Sequence, residues 1–279
     1  MLQDMATGRL ENEFHNLTAQ AADLVLCFHQ GQVLLHRGAD DTLTLPTLSQ
    51  LAPKNAPRYL FRLQEKNYFL WTDHEAASCQ DFGYEPVRQL RQLQSKEICF
   101  GVMIGWHLYN WYRNNRLCGG CGAETVHDDK ERMLRCPACG NMIFPRISPA
   151  VIVAVTNGEK LLLSKYAGRA YTRYALLAGY TEIGETIEQT VHREVLEEVG
   201  LKVKNLRYYK SQPWGVDGNV LMGFFCDIDG SDKISLDENE LSMADWFPRN
   251  ALPAQDDGIS LTREMIRVFG ENNEPKVGR

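Results

Sequence analysis

The chain has 279 residues, 44% of them apolar and 24% charged, enough for one large or two modest hydrophobic cores. Its 36 acidic against 30 basic side chains leave a net charge of −6, which argues against a protein built to coat nucleic acid or an anionic membrane while allowing a local basic patch. No apolar run approaches the roughly twenty residues that span a bilayer, and the opening MLQDMATGRLENEFHN has no hydrophobic signal core, so the expectation is a cytoplasmic protein with no membrane partner.

Residues 1–95 are expected to form an N-terminal α+β domain. LVLCFHQ and QVLLHR flank Gly31, and YLFRLQ and NYFLWT flank Glu65-Lys66, so each pair reads as a hairpin of β-favouring residues around a turn. Nothing in this stretch looks catalytic. From Pro86 to Arg116 the pattern turns helical, with Val87, Leu90, Leu93, Ile98, Val102, Met103 and Trp106 spaced for one buried face. The aromatic cluster Trp106, Tyr109, Trp111 and Tyr112 reads as packing rather than a ligand box.

Residues 96–146 comprise this linking helix and a cysteine-rich segment. Cys118-Gly-Gly-Cys121 and Cys136-Pro-Ala-Cys139 are separated by 14 residues, two knuckles able to present four sulfurs to one Zn²⁺. With cysteine at all four positions there is no place for a catalytic water, so the zinc is structural. Disulfides are the competing reading; the lack of a secretory signal disfavours them, as do Cys27, Cys79, Cys99 and Cys226, which lie singly like buried thiols.

Residues 147–279 are expected to form the catalytic domain. Pro145 and Pro149 bracket a short linker into AVIVAVTNGEKLLLSKY, two strands joined through Asn157-Gly158, a strong hairpin signal. TRYALLAG, VKNLRYYKSQPW and NVLMGFFCDI read as further strands around an acidic helix, and a last helix runs from about 260 to 269 before a polar tail.

The acidic segment, Gly179 to Leu201, reads GYTEIGETIEQTVHREVLEEVGL. Glu194, Glu197 and Glu198 are offset by three and four residues and therefore share one side of a helical turn. Three like charges there repel, and clustered hard oxygens suit Mg²⁺ or Mn²⁺ held partly by protein and partly by substrate phosphate. Arg193 can pair with Glu197 four residues on, Gly200 is placed to end the helix, and Val191, Val195 and Val199 form its buried stripe. The bland alternative is a solvated helix with charge pairs, which has no need of both flanking glycines. His192 occupies a position from which no chemistry is required.

Gly179, Glu185, Arg193, Glu194, Val195, Glu197, Glu198, Gly200 and Leu201 match every defined position of the Nudix signature, so the chain resembles the Nudix hydrolases. Together with the cysteine knuckles upstream and Ser211-Gln212-Pro213-Trp214 downstream, the layout is similar to that of the NADH pyrophosphatase branch over nearly the whole chain. The resemblance implies an α+β fold: an α/β/α Nudix sandwich with a mixed sheet, preceded by a zinc ribbon and a smaller N-terminal α+β domain. It implies metal-dependent hydrolysis of NADH or NAD to nicotinamide mononucleotide and AMP, removal of NAD caps from RNA, and a homodimer. Glu194 and Glu198 would hold the catalytic metal with Glu197 beside them, Ala178 would offer its carbonyl, Glu240 would be a further ligand, and Glu198 is the first choice of base.

By the same resemblance Gln212, Pro213, Trp214, Gly215, Val216, Asp217, Gly218 and Asn219 would line the dinucleotide, and Tyr180 would stack on nicotinamide. Phe144 occupies a matching aromatic position without the usual hydroxyl, and Arg88, Glu131 and Thr262 are weaker matches. Typical members continue after the tryptophan with Pro-Phe-Pro, any residue and Ser, whereas here Gly215-Val216-Asp217-Gly218-Asn219 follows. The chemistry is therefore more firmly implied than the preference for NADH. Another nucleoside diphosphate derivative such as ADP-ribose is the alternative substrate. A nucleotide-sensing binding protein is the more distant reading, against which stand the retained Glu185, Glu194, Glu197 and Glu198.

Overall fold

The computed structural model of the chain describes residues 1–4, 9–73, 75–92, 96–168, 172–253 and 258–278. They divide into two compact units, one made of residues 2–147 with 215–218, the other of Met1 with 148–214 and 219–279. Among the described residues no helix is long and apolar enough to cross a membrane.

In the first unit, β1 (Leu10–Glu11), β2 (Leu24–Leu26), β3 (Phe28–His29), β4 (Gln32–Arg37), β5 (Leu43–Thr44), β6 (Arg58–Leu63), β7 (Lys66–Leu70) and β8 (Gly83–Pro86) form two small sheets. One has the order β1-β6-β7-β2; in the other β4 lies between β3 and β5 and also pairs β8. Both expected hairpins are present. The first turns at Gln30 (φ 48°) and Gly31 (φ 81°), the second at Gln64 (φ 48°) and Glu65 (φ 63°), one residue earlier than the sequence suggested. LVLCFHQ is not one strand: it breaks at the fully buried Cys27, so that β2 runs parallel to β7 while β3 pairs β4.

The expected single helix is two elements, a 3-10 segment Val87–Gln92 and α1 (Lys96–Asn114). The Cys99 thiol donates to the Leu90 carbonyl at 3.0 Å, satisfying backbone that a continuous helix would have paired. Leu93 lies outside the described residues. Gly101 and Gly105 let α1 approach the sheet: a Cβ on Gly105 would lie 2.2 Å from Leu26 Cδ1, and one on Gly101 2.8 Å from the Tyr68 ring. Three short strands, β9 (Val126–His127), β10 (Leu134–Arg135) and β11 (Met142–Ile143), build the ribbon in the order β11-β10-β9.

The second unit is a six-stranded mixed sheet between two helices. Its strands are β12 (Ser148–Asn157), β13 (Lys160–Tyr166), β14 (Leu177–Tyr180), β15 (Val203–Trp214), β16 (Asn219–Ile228) and β17 (Leu241–Pro248), in the order β15-β16-β12-β13-β17 with β14 also paired to β12. The centre is the parallel pair β12 and β16, in register from Ser148↔Asn219 to Thr156↔Asp227. Strand β12 is buried on both faces, which explains its unbroken apolar run. Val151, Val153 and Val155 pack towards Val191, Val195 and Val199 of α2 (Ile187–Val199). Ile152 and Ala154 pack on the opposite face with Leu261, Met265 and Phe269 of α3 (Leu261–Gly270). Each of the three α2 valines is fully buried, worth about 1.5–3 kcal/mol apiece.

Helix α2 has chemically defined ends. Thr186 Oγ1 accepts from the Gln189 N–H at 3.2 Å while the Gln189 side chain accepts from the Thr186 N–H at 2.8 Å, a reciprocal capping box. At the other end Gly200 adopts φ 70°, and its missing side chain leaves room for Ser235, whose Cβ would lie 2.8 Å from an added Cβ.

Candidate active site

The acidic segment leaves β14, crosses a short loop and returns as α2, placing Gly179 under the helix. Gly179 is paired to Val151 in the sheet, and a Cβ there would lie 1.8 Å from Cδ of Glu194 and about as close to both carboxylate oxygens. The Glu194 carboxyl therefore rests directly on the Gly179 backbone. This is the reason for glycine at that position.

Arg193 fixes the loop to the helix. Its Nε and Nη2 donate to the two oxygens of Glu185 at 2.6 and 2.9 Å, Nη2 also donates to the Tyr180 carbonyl at 2.9 Å, and Nη1 donates to Glu194 and Glu197 at 2.8 and 2.9 Å. Glu185 accepts in addition from Thr190 Oγ1 and from the Glu182 N–H, each at 3.0 Å. The Arg193 fork, with the Glu182 N–H, pulls the Glu185 carboxyl down to about 2. Both Glu185 oxygens are thus engaged in holding the loop. Spacing alone reveals the Arg193–Glu197 pair; the Glu185 partnership spans a loop and a helix start, and the Thr186-x-x-Gln189 capping pattern is the signal that locates it.

The remaining carboxylates concentrate negative charge. Glu194 and Glu198 are buried, at 8% and 2% exposure, while Glu197 is exposed. Burial pushes the Glu194 carboxyl up; Arg193 opposes this, and the charges of Glu197 and Glu240 push it further up. Glu240 is exposed just before β17, and its influence on Glu194 brings together two residues 46 positions apart in the chain. A buried carboxyl crowded by like charges favours either a proton or a cation, and an all-oxygen donor set fits Mg²⁺ or Mn²⁺. Ala178 is half-buried in β14, paired to Ile152. His192 is exposed on the helix.

The residues expected to line a dinucleotide fall in both units. Gln212 is fully buried, its Nε2 donating to the Ile259 carbonyl at 2.8 Å and its Oε1 accepting from the Leu261 N–H at 2.7 Å, so its amide positions the start of α3. Pro213 is exposed and Trp214 half-buried at the end of β15. Asn219 is buried and donates from Nδ2 to the hydroxyl of Tyr180 at 3.1 Å, while the Tyr180 ring is 51% exposed. Thr262 is half-buried in the first turn of α3.

In the other unit, Asp217 accepts from Arg88 Nη2 at 2.6 Å, joining two of the expected residues in an ion pair. Gly215 has no room for a side chain, since a Cβ would lie 2.2 Å from the Met103 carbonyl oxygen, and Gly218 takes φ 72° beside His107. Close backbone approach to α1 is thus the local reason for glycine after Trp214, and Val216 between them is half-buried. Phe144 is 52% exposed, and the Glu131 N–H donates to Asp128 Oδ1 at 3.1 Å in an exposed ribbon turn.

The four cysteines of the ribbon converge, their sulfurs all within 4.8 Å of one another; among the described residues no group of carboxylates gathers as closely. Cys118–Cys139 and Cys121–Cys136 sulfur separations are 3.6 and 3.5 Å, near the ~3.8 Å edge of a tetrahedron whose corners are ~2.3 Å from a central ion. The knuckles are matched. The Gly122 N–H donates to the Cys118 carbonyl and the Gly140 N–H to the Cys136 carbonyl, with both glycines left-handed at φ 77° and 76°. Hydrogen bonds from the Gly120 N–H and the Asn141 amide pull the Cys118 thiol down to about 6, towards the thiolate that binds zinc.

Residues 146–269 match the family model of the NUDIX domain, and residues 113–144 match that of the NADH pyrophosphatase zinc ribbon domain. The chain is 41% identical over 195 residues to the NAD-capped RNA hydrolase NudC of Pectobacterium atrosepticum, covering 67% of this chain and 75% of that protein. It is 36% identical over 209 residues to the protein of the same name from Haemophilus influenzae, covering 73% and 77%. With the Pseudomonas aeruginosa protein of that name it shares 41% identity, and the match spans 57% of each. Among solved structures, a NUDIX hydrolase from Nitrosomonas europaea aligns with a TM-score of 0.48 and 22% identity over 56% of this chain and 91% of that one.

Proposed function

The chain belongs to the Nudix hydrolases, in the branch that carries the NADH pyrophosphatase zinc ribbon, and from that premise we propose that it cleaves the diphosphate of NADH or NAD to nicotinamide mononucleotide and AMP, and removes NAD caps from RNA. The observation that carries the reading is the Glu194 carboxyl seated on Gly179 and held, with Glu197, by the same Arg193 that clamps Glu185. That arrangement supports the reading because it holds several carboxylate oxygens in fixed positions on one helix and its loop.

Glu194, Glu197, Glu198 and Glu240, with the Ala178 carbonyl, would hold Mg²⁺ or Mn²⁺, which would supply charge neutralisation for the diphosphate and acidify water. The chain's own residues do the rest. Glu198, buried on α2, takes the proton of the attacking water at a carboxylate oxygen as that water forms its bond to phosphorus. The bridging P–O bond breaks and its electron pair leaves with the departing phosphate. Arg193 keeps Glu194 and Glu197 in register with the loop throughout. Tyr180, steadied by Asn219, offers its exposed ring to a base or nicotinamide. Trp214, Pro213, Val216, Phe144, the Arg88–Asp217 pair, Glu131 and Thr262 are further candidates for dinucleotide contact. A homodimer in the cytoplasm completes the proposal, on the strength of the family resemblance.

The test is hydrolysis of NADH, NAD⁺, ADP-ribose and a short NAD-capped RNA side by side with Mg²⁺ or Mn²⁺, the products resolved by chromatography. NADH or capped RNA is expected to lead. If ADP-ribose exceeds both by about tenfold in kcat/KM, a transition-state difference of roughly 1.4 kcal/mol, the chemistry stands and the substrate assignment fails.

A further inference from the structure

A cavity of about 640 Å³ lies within residues 2–147 and uses none of the carboxylates of α2. The N-terminal strands contribute Phe28 and Arg58, the helix contributes Tyr109, Tyr112 and Arg113, and the ribbon side contributes Arg116 and His127. Its size is that of a small-molecule or cofactor site, which runs to about 300–1,000 Å³. The aromatic run of α1, expected to serve packing throughout, is divided in the structure. Trp111 is buried, whereas Tyr109 and Tyr112, three apart and on one helix face with Arg113, line the cavity.

The charge in the cavity is unbalanced. Arg58 stands over the Tyr112 ring, 4.9 Å from its centre, and Arg113 stands over Tyr109 at 5.5 Å. Among the described residues, Arg58, Arg113 and Arg116 make no ion pair with a carboxylate. Two acids also line the cavity, Asp73, which accepts from the backbone N–H groups of Lys54 and Asn55, and Glu75, which pairs with Lys54 Nζ at 2.8 Å, so three guanidinium groups face two carboxylates of which one has its own cation. Burial, then the neighbouring Arg58, pull the His127 imidazole down to about 4, so it adds no charge at neutral pH. Burial also lowers Arg58, a guanidinium partly stripped of water with no anion to compensate it.

Aromatic faces beside unpaired guanidinium groups are the chemistry that receives a flat base and its phosphate. We propose that this cavity is a nucleoside-phosphate site, with the base stacked on the Arg113 guanidinium that covers Tyr109 and the phosphate on Arg58 and Arg116. Two sources carry that chemistry, a free mononucleotide and a nucleotide within single-stranded RNA.

The experiment titrates the full-length, zinc-loaded protein, without added divalent cation, with AMP and with a 5′-phosphorylated tetra-adenylate, by calorimetry. Arg58→Met and the exposed-site variant Arg116→Gln are compared with the wild type, their zinc content and melting temperatures being checked in parallel. Each variant is expected to weaken binding by roughly tenfold, as loss of a charged hydrogen bond does, and to make the salt dependence shallower by about one phosphate contact. Tetra-adenylate binding at least tenfold tighter than AMP identifies an RNA strand as the occupant, and equal binding identifies a free nucleotide. The proposal is overturned if neither probe binds, or if a folded Arg116→Gln protein and Arg58→Met protein both bind like the wild type, since the nucleotide then sits elsewhere. No catalysis is measured, so the outcome is independent of the proposed reaction.

Discussion

Gly179→Ala is the smallest change that separates the placement of Glu194 from the stability of the fold. The added methyl would lie 1.8 Å from Glu194 Cδ, where ordinary contact begins at 3.4 Å, so the carboxyl must retreat by roughly 1.6 Å. Gly179 does not use left-handed backbone, and what must move is the end of a flexible side chain, so β14 itself accepts alanine. Displacing a reacting or positioning group by about 1 Å costs on the order of 10²-fold in rate, equivalent to about 2.7 kcal/mol. The expected outcome is a kcat/KM for NADH lowered at least that far at saturating metal, with a melting temperature within a few degrees of wild type. Steady-state release of AMP and a thermal melt read the two quantities. A variant that keeps more than about a third of wild-type kcat/KM refutes the argument that Glu194 must sit where Gly179 permits.

Arg193→Lys keeps the charge but cannot reproduce five donor contacts in a planar fork; a loss of about 1–3 kcal/mol in stability is expected, with activity reduced at least tenfold, and a thermal melt showing no change contradicts it. Removing zinc with a chelator, or replacing Cys136 with serine, should lower the melting temperature of the whole chain and release one zinc per chain by metal analysis, because the four sulfurs close the ribbon; an unchanged melt rules out a structural metal. Glu264 gives a pH signature. Burial pushes it up, but Lys210, Tyr209 and the Met1 ammonium outweigh burial and hold it at about 2 against an ordinary 4.5. Its contribution is therefore complete above pH 4.5 and is lost as the pH falls towards 2. Melting temperatures of wild type and Glu264→Gln should differ at pH 6 and converge near pH 2, and a gap that persists in acid contradicts the assignment.

Where local chemistry dominates, the sequence was readable. Strands β15 and β16 begin and end where their β-branched and aromatic runs do, and α2 follows its valine stripe and its glycine terminator. Strand β17 was missed because LSMADWFP carries charge and small polar residues in an edge position that is only partly buried, so no alternation marks it. The break between the 3-10 segment and α1 was hidden because the apolar spacing continues across it. At the site, the offsets put Glu194, Glu197 and Glu198 on one helix but did not show that Glu194 and Glu198 are buried while Glu197 is exposed. Partnerships made through tertiary structure were not legible: the Glu185–Arg193 fork, the effect of Glu240 on Glu194, and the capture of Gln212 by the backbone before α3. A glutamine on a strand reads the same whether it faces a ligand or its own chain.

The most direct test of the account is turnover by Glu198→Gln. Wild type with added Mg²⁺ or Mn²⁺ should convert NADH to equal amounts of AMP and reduced nicotinamide mononucleotide. Glu198→Gln, with its fold and zinc content intact, should lose at least the 10²–10⁴-fold that a general base supplies. If the variant turns over at a rate near wild type, or if the wild-type products are not those two mononucleotides, the assignment of the α2 carboxylates to diphosphate cleavage is wrong.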